Sequence, residues 1–190
     1  MRTTILAMAL AVTAVQIGSA RGEPGMLRID PARSVAQFTV TKLGFSNVTG
    51  RFTEVAGEVR WNASDPASGS VRMRARVASV LTDASNRDRT LQAPEYFDAR
   101  NHPDLIFEST RVVRADADTL RVTGNLTMRG HTRPVTLTVR HSGTASAPVF
   151  EASFDVVRHD YGIVGGRVMS RLIGRSVRID LKVVTLEPTS

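Results

Sequence analysis

His102, His131, His141 and His159 are the residues of this chain best suited to ligating a metal or moving protons near neutral pH. No two of them stand two, three or four places apart, the spacings that put a pair of ligands on one face of a strand or helix. They read as surface or turn residues, and no metal is expected. Asp98, Asp104, Asp155 and Asp160 offer carboxylates for acid–base work, but at a density ordinary for loops and strand ends. The chain has no cysteine, which removes thiol nucleophiles, iron–sulfur clusters and thiolate zinc sites. No serine sits in a nucleophile elbow. Gly162-Ile163-Val164-Gly165-Gly166 does not open a helix after a strand and is no dinucleotide fingerprint. Two polar groupings remain. Lys42 ends a strand face that carries Phe38 and Val40, so it can meet a ligand's polar head at a cavity mouth or snorkel to solvent. Arg87-Asp88 opens the best helix candidate, and Arg158-His159-Asp160 ends a late strand, where Arg158 and Asp160 are placed to form a structural ion pair on one face.

The elements that must position these residues are strands. Val71, Met73, Ala75 and Val77 alternate with Arg72, Arg74 and Arg76; Leu120, Val122, Leu126 and Met128 alternate with Arg121, Thr123, Asn125 and Thr127. Period-two alternation sends successive side chains to opposite sheet faces, one wet and one apolar. Strands are predicted at 26–29, 35–42, 57–62, 70–80, 105–113, 119–128, 133–141, 149–157 and 175–186, with a glycine-punctuated segment at 43–52. Ser85 to Gln92 is the helix candidate, with Ser85 as cap, Asp88 three residues on and Ala93-Pro94 as its end. A chain built almost wholly of such strands must close or sandwich its sheet, because an open apolar face aggregates. About eight strands is the number at which a barrel either fills with side chains or holds one small ligand.

The 190 residues suit one domain. Residues 1–20 read as an export signal: a basic start, a mostly apolar run from Thr3 to Ile17, and small residues before a cleavage point after Ala20. Residues 21–26 read as a linker and 27–187 as the folded domain, in the periplasm or outside the cell. A formal charge of +7, with 25 Lys and Arg against 18 Asp and Glu, raises the question of nucleic acid. The arginines alternate along strands instead of clustering, and aromatics make up only 5% of residues, too few for a stacking platform. No nucleic acid is expected, and at most peripheral contact with an anionic membrane.

Several blocks together resemble the YceI-like family of exported, lipocalin-like proteins. They are Asp30-Pro31-Ala32-Arg33-Ser34, Phe38-x-Val40-x-Lys42-Leu43-Gly44, Val48-x-Gly50-Arg51-Phe52, Asn86-Arg87-Asp88 with Leu91, Pro94-Glu95-Tyr96-Phe97-Asp98 and Pro103-x-Leu105-Ile106-Phe107. The strongest runs from Val122 to Val135, through Met128-Arg129-Gly130-His131, and Arg158-x-Asp160-Tyr161-Gly162 follows. Their order covers nearly all of the chain after the signal. Arg33, Lys42 and Thr90 stand where many members have histidine, which leaves the head-group preference open.

The resemblance implies an all-β fold: a closed antiparallel lipocalin-like barrel of about eight strands, one or two short helices, and a long apolar tunnel. It implies no catalytic residue and no cofactor. The ligand it implies is an isoprenoid lipid, a polyprenyl chain or a ubiquinone-like quinone. The tunnel lining expected on this basis is Phe38, Val40, Phe45, Phe52, Trp61, Met73, Leu91, Phe97, Phe107, Leu126, Met128 and Phe154. The residues expected near a head group are Lys42, Arg87, Arg158 and Asp160. Two other readings stay open: an enzyme acting on such a lipid, and a solid-core barrel that acts through partners. A homodimer also stays open.

Overall fold

The structure is a computed structural model that describes residues 25–166 and 169–186. The expected signal, and residues 21–24 of the expected linker, lie outside the described residues. Gly25 and Met26, the last of that linker, belong to the first strand. The strands are β1 (Gly25–Arg28), β2 (Val35–Lys42), β3 (Ser46–Phe52), β4 (Val55–Trp61), β5 (Ser70–Arg76), β6 (Val80–Leu81), β7 (Asp104–Arg114), β8 (Thr119–Met128), β9 (His131–Gly143), β10 (Pro148–Val157) and β11 (Ile173–Val184). Two short helices join them, α1 (Ser85–Leu91) and α2 (Met169–Leu172).

All eleven strands form one antiparallel sheet in the order β1-β4-β5-β7-β8-β9-β10-β11-β2-β3-β6, curled around a single interior. The expected barrel class holds, with nine strands of seven residues or more and two short ones in place of about eight. The short strands are the two edges of the sheet, β1 beside β4 and β6 beside β3. Beyond β1, Ile29 bridges to Thr185 and donates its backbone N–H to the Gly57 carbonyl, tying β4 to the end of β11. β6 pairs on Arg51 and Phe52 of β3.

The alternation in the sequence becomes the two faces of this wall. Met73, Ala75, Leu120, Val122 and Met128 are buried, while Arg72, Arg74 and Arg76 point out toward Glu108, Asp104 and Glu54. Ion pairs this exposed contribute about 0–1 kcal/mol each, so burial, not the arginine stripe, holds the wall.

Three local expectations are corrected. The strand predicted over 70–80 stops at Arg76. Val77, fully buried, donates its N–H to the Pro103 carbonyl (2.8 Å) and begins a 3-10 turn into β6, a break that apolar alternation through Val77 conceals. Ser85 does not cap α1; Ala84 holds that position, and the Asp88 carboxylate accepts from the N–H and hydroxyl of Thr82 instead (2.8 and 2.6 Å). Residues Arg158–Tyr161 form a 3-10 turn and not a strand end, so the proposed shared face for Arg158 and Asp160 does not exist.

Candidate binding site

Three small voids and one cleft lie in a row through the interior. The void at one end, about 70 Å³, is walled by Trp61, Leu120, Val122, Val139 and Phe150, with Pro66 of the 66–68 turn beside it. Met73, Phe107, Leu137 and Leu181 separate it from a second void of about 70 Å³ that reaches Leu126 and Phe154. Phe38, Phe52, Leu105, Met128 and Ile179 are common to that void and a third, of about 100 Å³, lined also by Phe97, Val156 and Ile163. Val40, Leu91, Tyr96 and Ile173 then join the third void to a wider cleft of about 340 Å³, whose polar residues include Lys42, Asn86, Arg87 and Thr90. Adjoining spaces thus share apolar walls in a row that ends at a cationic cleft, the mouth.

Local chemistry explains this row. Inward positions of β2 are Ala36, Phe38, Val40 and Lys42, so the strand's last inward residue is its cation. A Cβ at Gly50 would collide with the ring of Phe38, and one at Gly124 with the ring of Phe107. These two glycines let aromatic rings lie flat against neighbouring backbone. Phe38, Phe52 and Phe97 pack at tilted or edge angles with centroids 5.5–6.4 Å apart, near the third void. Trp61 packs edge-on to Phe150 (5.2 Å) and His141 (5.1 Å) at the far end. Met73 and Met128 both stand at walls between voids, where an unbranched thioether can change rotamer most cheaply.

The mouth is built from loops held by two arginines. Arg158 is only 6% exposed. It donates to the carbonyls of Ile163, Val164, Gly174 and Ile173 (2.8–3.2 Å), joining the loop after the 3-10 turn to the start of β11. Burial pushes its guanidinium below the ordinary value, Tyr96 opposes that shift and Arg175 adds to it. Arg129, in the β8–β9 turn, donates to the carbonyls of Gly162 and Pro94, the latter at 2.7 Å. Tyr96 and Ile163, both lining residues, are thereby fixed beside each other's loops; Gly165 donates to Glu95 across the same join.

Of the expected lining residues, Phe38, Val40, Phe52, Trp61, Met73, Leu91, Phe97, Phe107, Leu126, Met128 and Phe154 border these spaces. Phe45 does not: it sits in the β2–β3 turn and is 83% exposed. Lys42 and Arg87 stand together at the cleft, with Arg87 also paired to Asp83 (2.8 Å). Arg158 reaches the third void, but its donors are turned to backbone carbonyls. Asp160 is exposed on the 3-10 turn and borders none of these spaces. Tyr96, Ile163, Ile173, Val177 and Ile179 were not expected as lining. The last two belong to the alternating run Val177, Ile179, Leu181, Val183, a signal present in the sequence. Among the described residues, no three of the His, Asp and Glu side chains gather as a metal site would require.

Comparison with known proteins gives the same architecture. The sequence profile of the YceI-like domain matches residues 27–185. A UPF0312 protein of Pseudomonas putida is 25% identical over 186 residues, 95% of this chain and 97% of the relative. A UPF0312 protein of Pseudomonas aeruginosa is 28% identical over 169 residues, 86% and 88% of the two chains. Among solved structures, Burkholderia cenocepacia BcnA superposes with a TM-score of 0.78 at 23% identity, over 83% of this chain and 99% of that one. A polyisoprenoid binding domain from Saccharophagus degradans superposes with a TM-score of 0.70 at 16% identity, over 87% and 100%.

Proposed function

The chain belongs to the YceI-like domain family, and on that premise we propose that it binds a long-chain isoprenoid lipid, tail inward, without chemical change. The observation that carries the reading is the row of adjoining apolar voids from Trp61 to the cleft at Lys42 and Arg87. An isoprenoid tail costs about 0.8 kcal/mol per methylene-sized group when exposed to water, so it needs a sheath to cross an aqueous space. A path of aliphatic and phenyl walls supplies that sheath and recognises the tail by shape. Narrow voids separated by Met73 and Met128 suit a flexible chain that threads by displacing side chains. The polyprenyl or ubiquinone-like head would rest in the cleft, where Lys42 and Arg87 favour carbonyl or anionic groups. The Saccharophagus degradans domain's name is consistent with this ligand class, while its 16% identity lends the fold alone.

Export follows as part of the same proposal: the 1–20 segment would place the barrel where lipids need a carrier. Native mass spectrometry of the protein purified from its own host, followed by organic extraction, tests the function. A bound polyprenyl or prenylquinone mass, recovered unaltered after incubation with the protein, is the expected result. An empty protein that also fails to bind added polyprenol would remove the carrier reading, and turnover of the added lipid would replace it with an enzyme.

A further inference from the structure

We propose that the β2–β3 turn, Leu43-Gly44-Phe45, is a docking tip that seats this protein on the anionic surface of a lipid bilayer with the tunnel mouth turned toward the membrane. The proposal rests on the binding reading only for what is loaded there; the docking itself is independent of it. Phe45 is 83% exposed and Leu43 48% exposed, at the outer end of the same hairpin that contributes Lys42 and Val48 to the cleft. Val164, 45% exposed, lies on the loop that Arg158 and Glu95 hold against the mouth. Isolated exposed apolar side chains are ordinary. A phenyl and a leucyl side chain at one projecting turn, on the rim of an apolar tunnel, are a localised wedge of the kind that enters a lipid interface.

The tip is braced. Leu43 adopts a left-handed conformation (φ 55°), as does Gly44 (φ 79°). Leu43 donates its N–H to the Leu172 carbonyl of α2 (2.7 Å), and Phe45 donates to Lys42 (3.3 Å). The two side chains are therefore displayed by a fixed turn.

Charge selects the occupant. Residues 39–53 contain Lys42 and Arg51 and no acidic residue; residues 161–179 contain four arginines, of which Arg178 pairs with Asp180 just beyond (3.5 Å). These segments meet where Lys42 pairs with Ile173 and Leu43 bonds to Leu172, with exposed Arg171 and Arg175 on either side of that join. An apolar tip flanked by Lys42, Arg171 and Arg175 complements a bilayer carrying anionic lipid, which attracts such side chains within a Debye length. A second copy of this chain would bring the same cations against these.

The test is co-sedimentation of the full chain with vesicles, with no isoprenoid present. Partition onto phosphatidylcholine vesicles containing roughly one-third phosphatidylglycerol should exceed partition onto pure phosphatidylcholine by about tenfold, and should fall in about 0.5 M salt. Leu43→Asn with Phe45→Ser should weaken that partition by about tenfold, asparagine being at ease in the left-handed turn. Val113→Ser, at an exposed apolar site on β7 away from the mouth, should leave it unchanged. Arg171→Glu with Arg175→Glu should weaken binding to the anionic vesicles and spare the weak binding to neutral ones. Equal partition of parent and tip variant, or indifference to phosphatidylglycerol, overturns the proposal. A parent dimer that the tip variant abolishes, with vesicle binding unchanged, gives the tip to a second copy and also overturns it. Polyprenol binding by the tip variant, measured separately, tells failure of docking from failure of the tunnel.

Discussion

The two ends of the interior are built from different materials. At the far end, Trp61 meets Phe150 and His141 edge-on, Pro66 is buried beside them, and aliphatic strand residues complete the wall. Its polar atoms are poorly served: Trp61 Nε1 and His141 Nε2 are buried without a hydrogen-bond partner. At the mouth, strands give way to loops, and the loops are held by Arg158 and Arg129 through backbone carbonyls. One end is walled almost wholly by apolar side chains around a small void. The other is a polar frame around an opening. The difference teaches that the far end is stabilised by area removed from water, and the mouth by directed hydrogen bonds that a single substitution can strand.

Two substitutions break that comparison most sharply. Trp61→Ala should cost about 3–5 kcal/mol, the usual range for truncating a buried aromatic residue, and should leave the spectroscopic environment of Tyr96 at the mouth unchanged. Urea unfolding read by circular dichroism measures the first, and tyrosine resonances the second. Arg158→Leu should cost about 3 kcal/mol, because several carbonyls lose their donor together, and should disorder the 163–166 loop. Amide exchange at Gly165 reads that loop directly. Lysine at this position should not rescue it, since one ammonium cannot reproduce the guanidinium fork.

A third variant tests whether the voids act in series. Met73→Phe fills the wall between the first and second voids with a ring that cannot thread aside. Binding of the longest polyprenols should fall by roughly tenfold, about 1.4 kcal/mol, while geranylgeraniol binds as before. Equal losses for both lengths would mean that tails do not pass Met73.

How much of this was legible depends on what the residues answer to. The walls were, because strand pleating writes burial into every second residue: Met73, Phe107, Leu126 and Met128 lie where alternation puts them. The mouth was legible only in pieces. Phe45 sits two residues past a left-handed Leu43, where period two no longer assigns a face, so its apolar character pointed inward while the chain points it out. Arg158 was visible as a strand-end neighbour and ion-pair candidate of Asp160, but its partners are carbonyls from residues 163–174, and carbonyls carry no sequence signature. The alternating half of β11, Val177, Ile179, Leu181 and Val183, carries the same period-two signal as the other walls. Arg129 lay inside the most recognisable block, and only the fold shows that it staples Pro94 to Gly162.

The smallest effect expected of the mouth belongs to Lys42. Lys42→Glu should weaken a carbonyl- or phosphate-headed isoprenoid by roughly fivefold, about 1 kcal/mol, and leave a plain hydrocarbon of equal length unaffected. Fluorescence competition with the two ligands measures the ratio. Equal effects would remove the head group from the cleft.

The most direct test of the central claim, that the interior is a path and not a finished core, is Leu126→Trp. Leu126 faces the second void, between the Trp61 end and the mouth. In a close-packed core the added volume costs about 1–3 kcal/mol through overpacking. In a path it occupies space meant for the tail. Melting of the lipid-free protein and polyprenol affinity should be measured on the same preparation. The account predicts a melting temperature close to that of the parent together with loss of tail binding. A large fall in melting temperature, from a parent that itself binds no polyprenol, would contradict it.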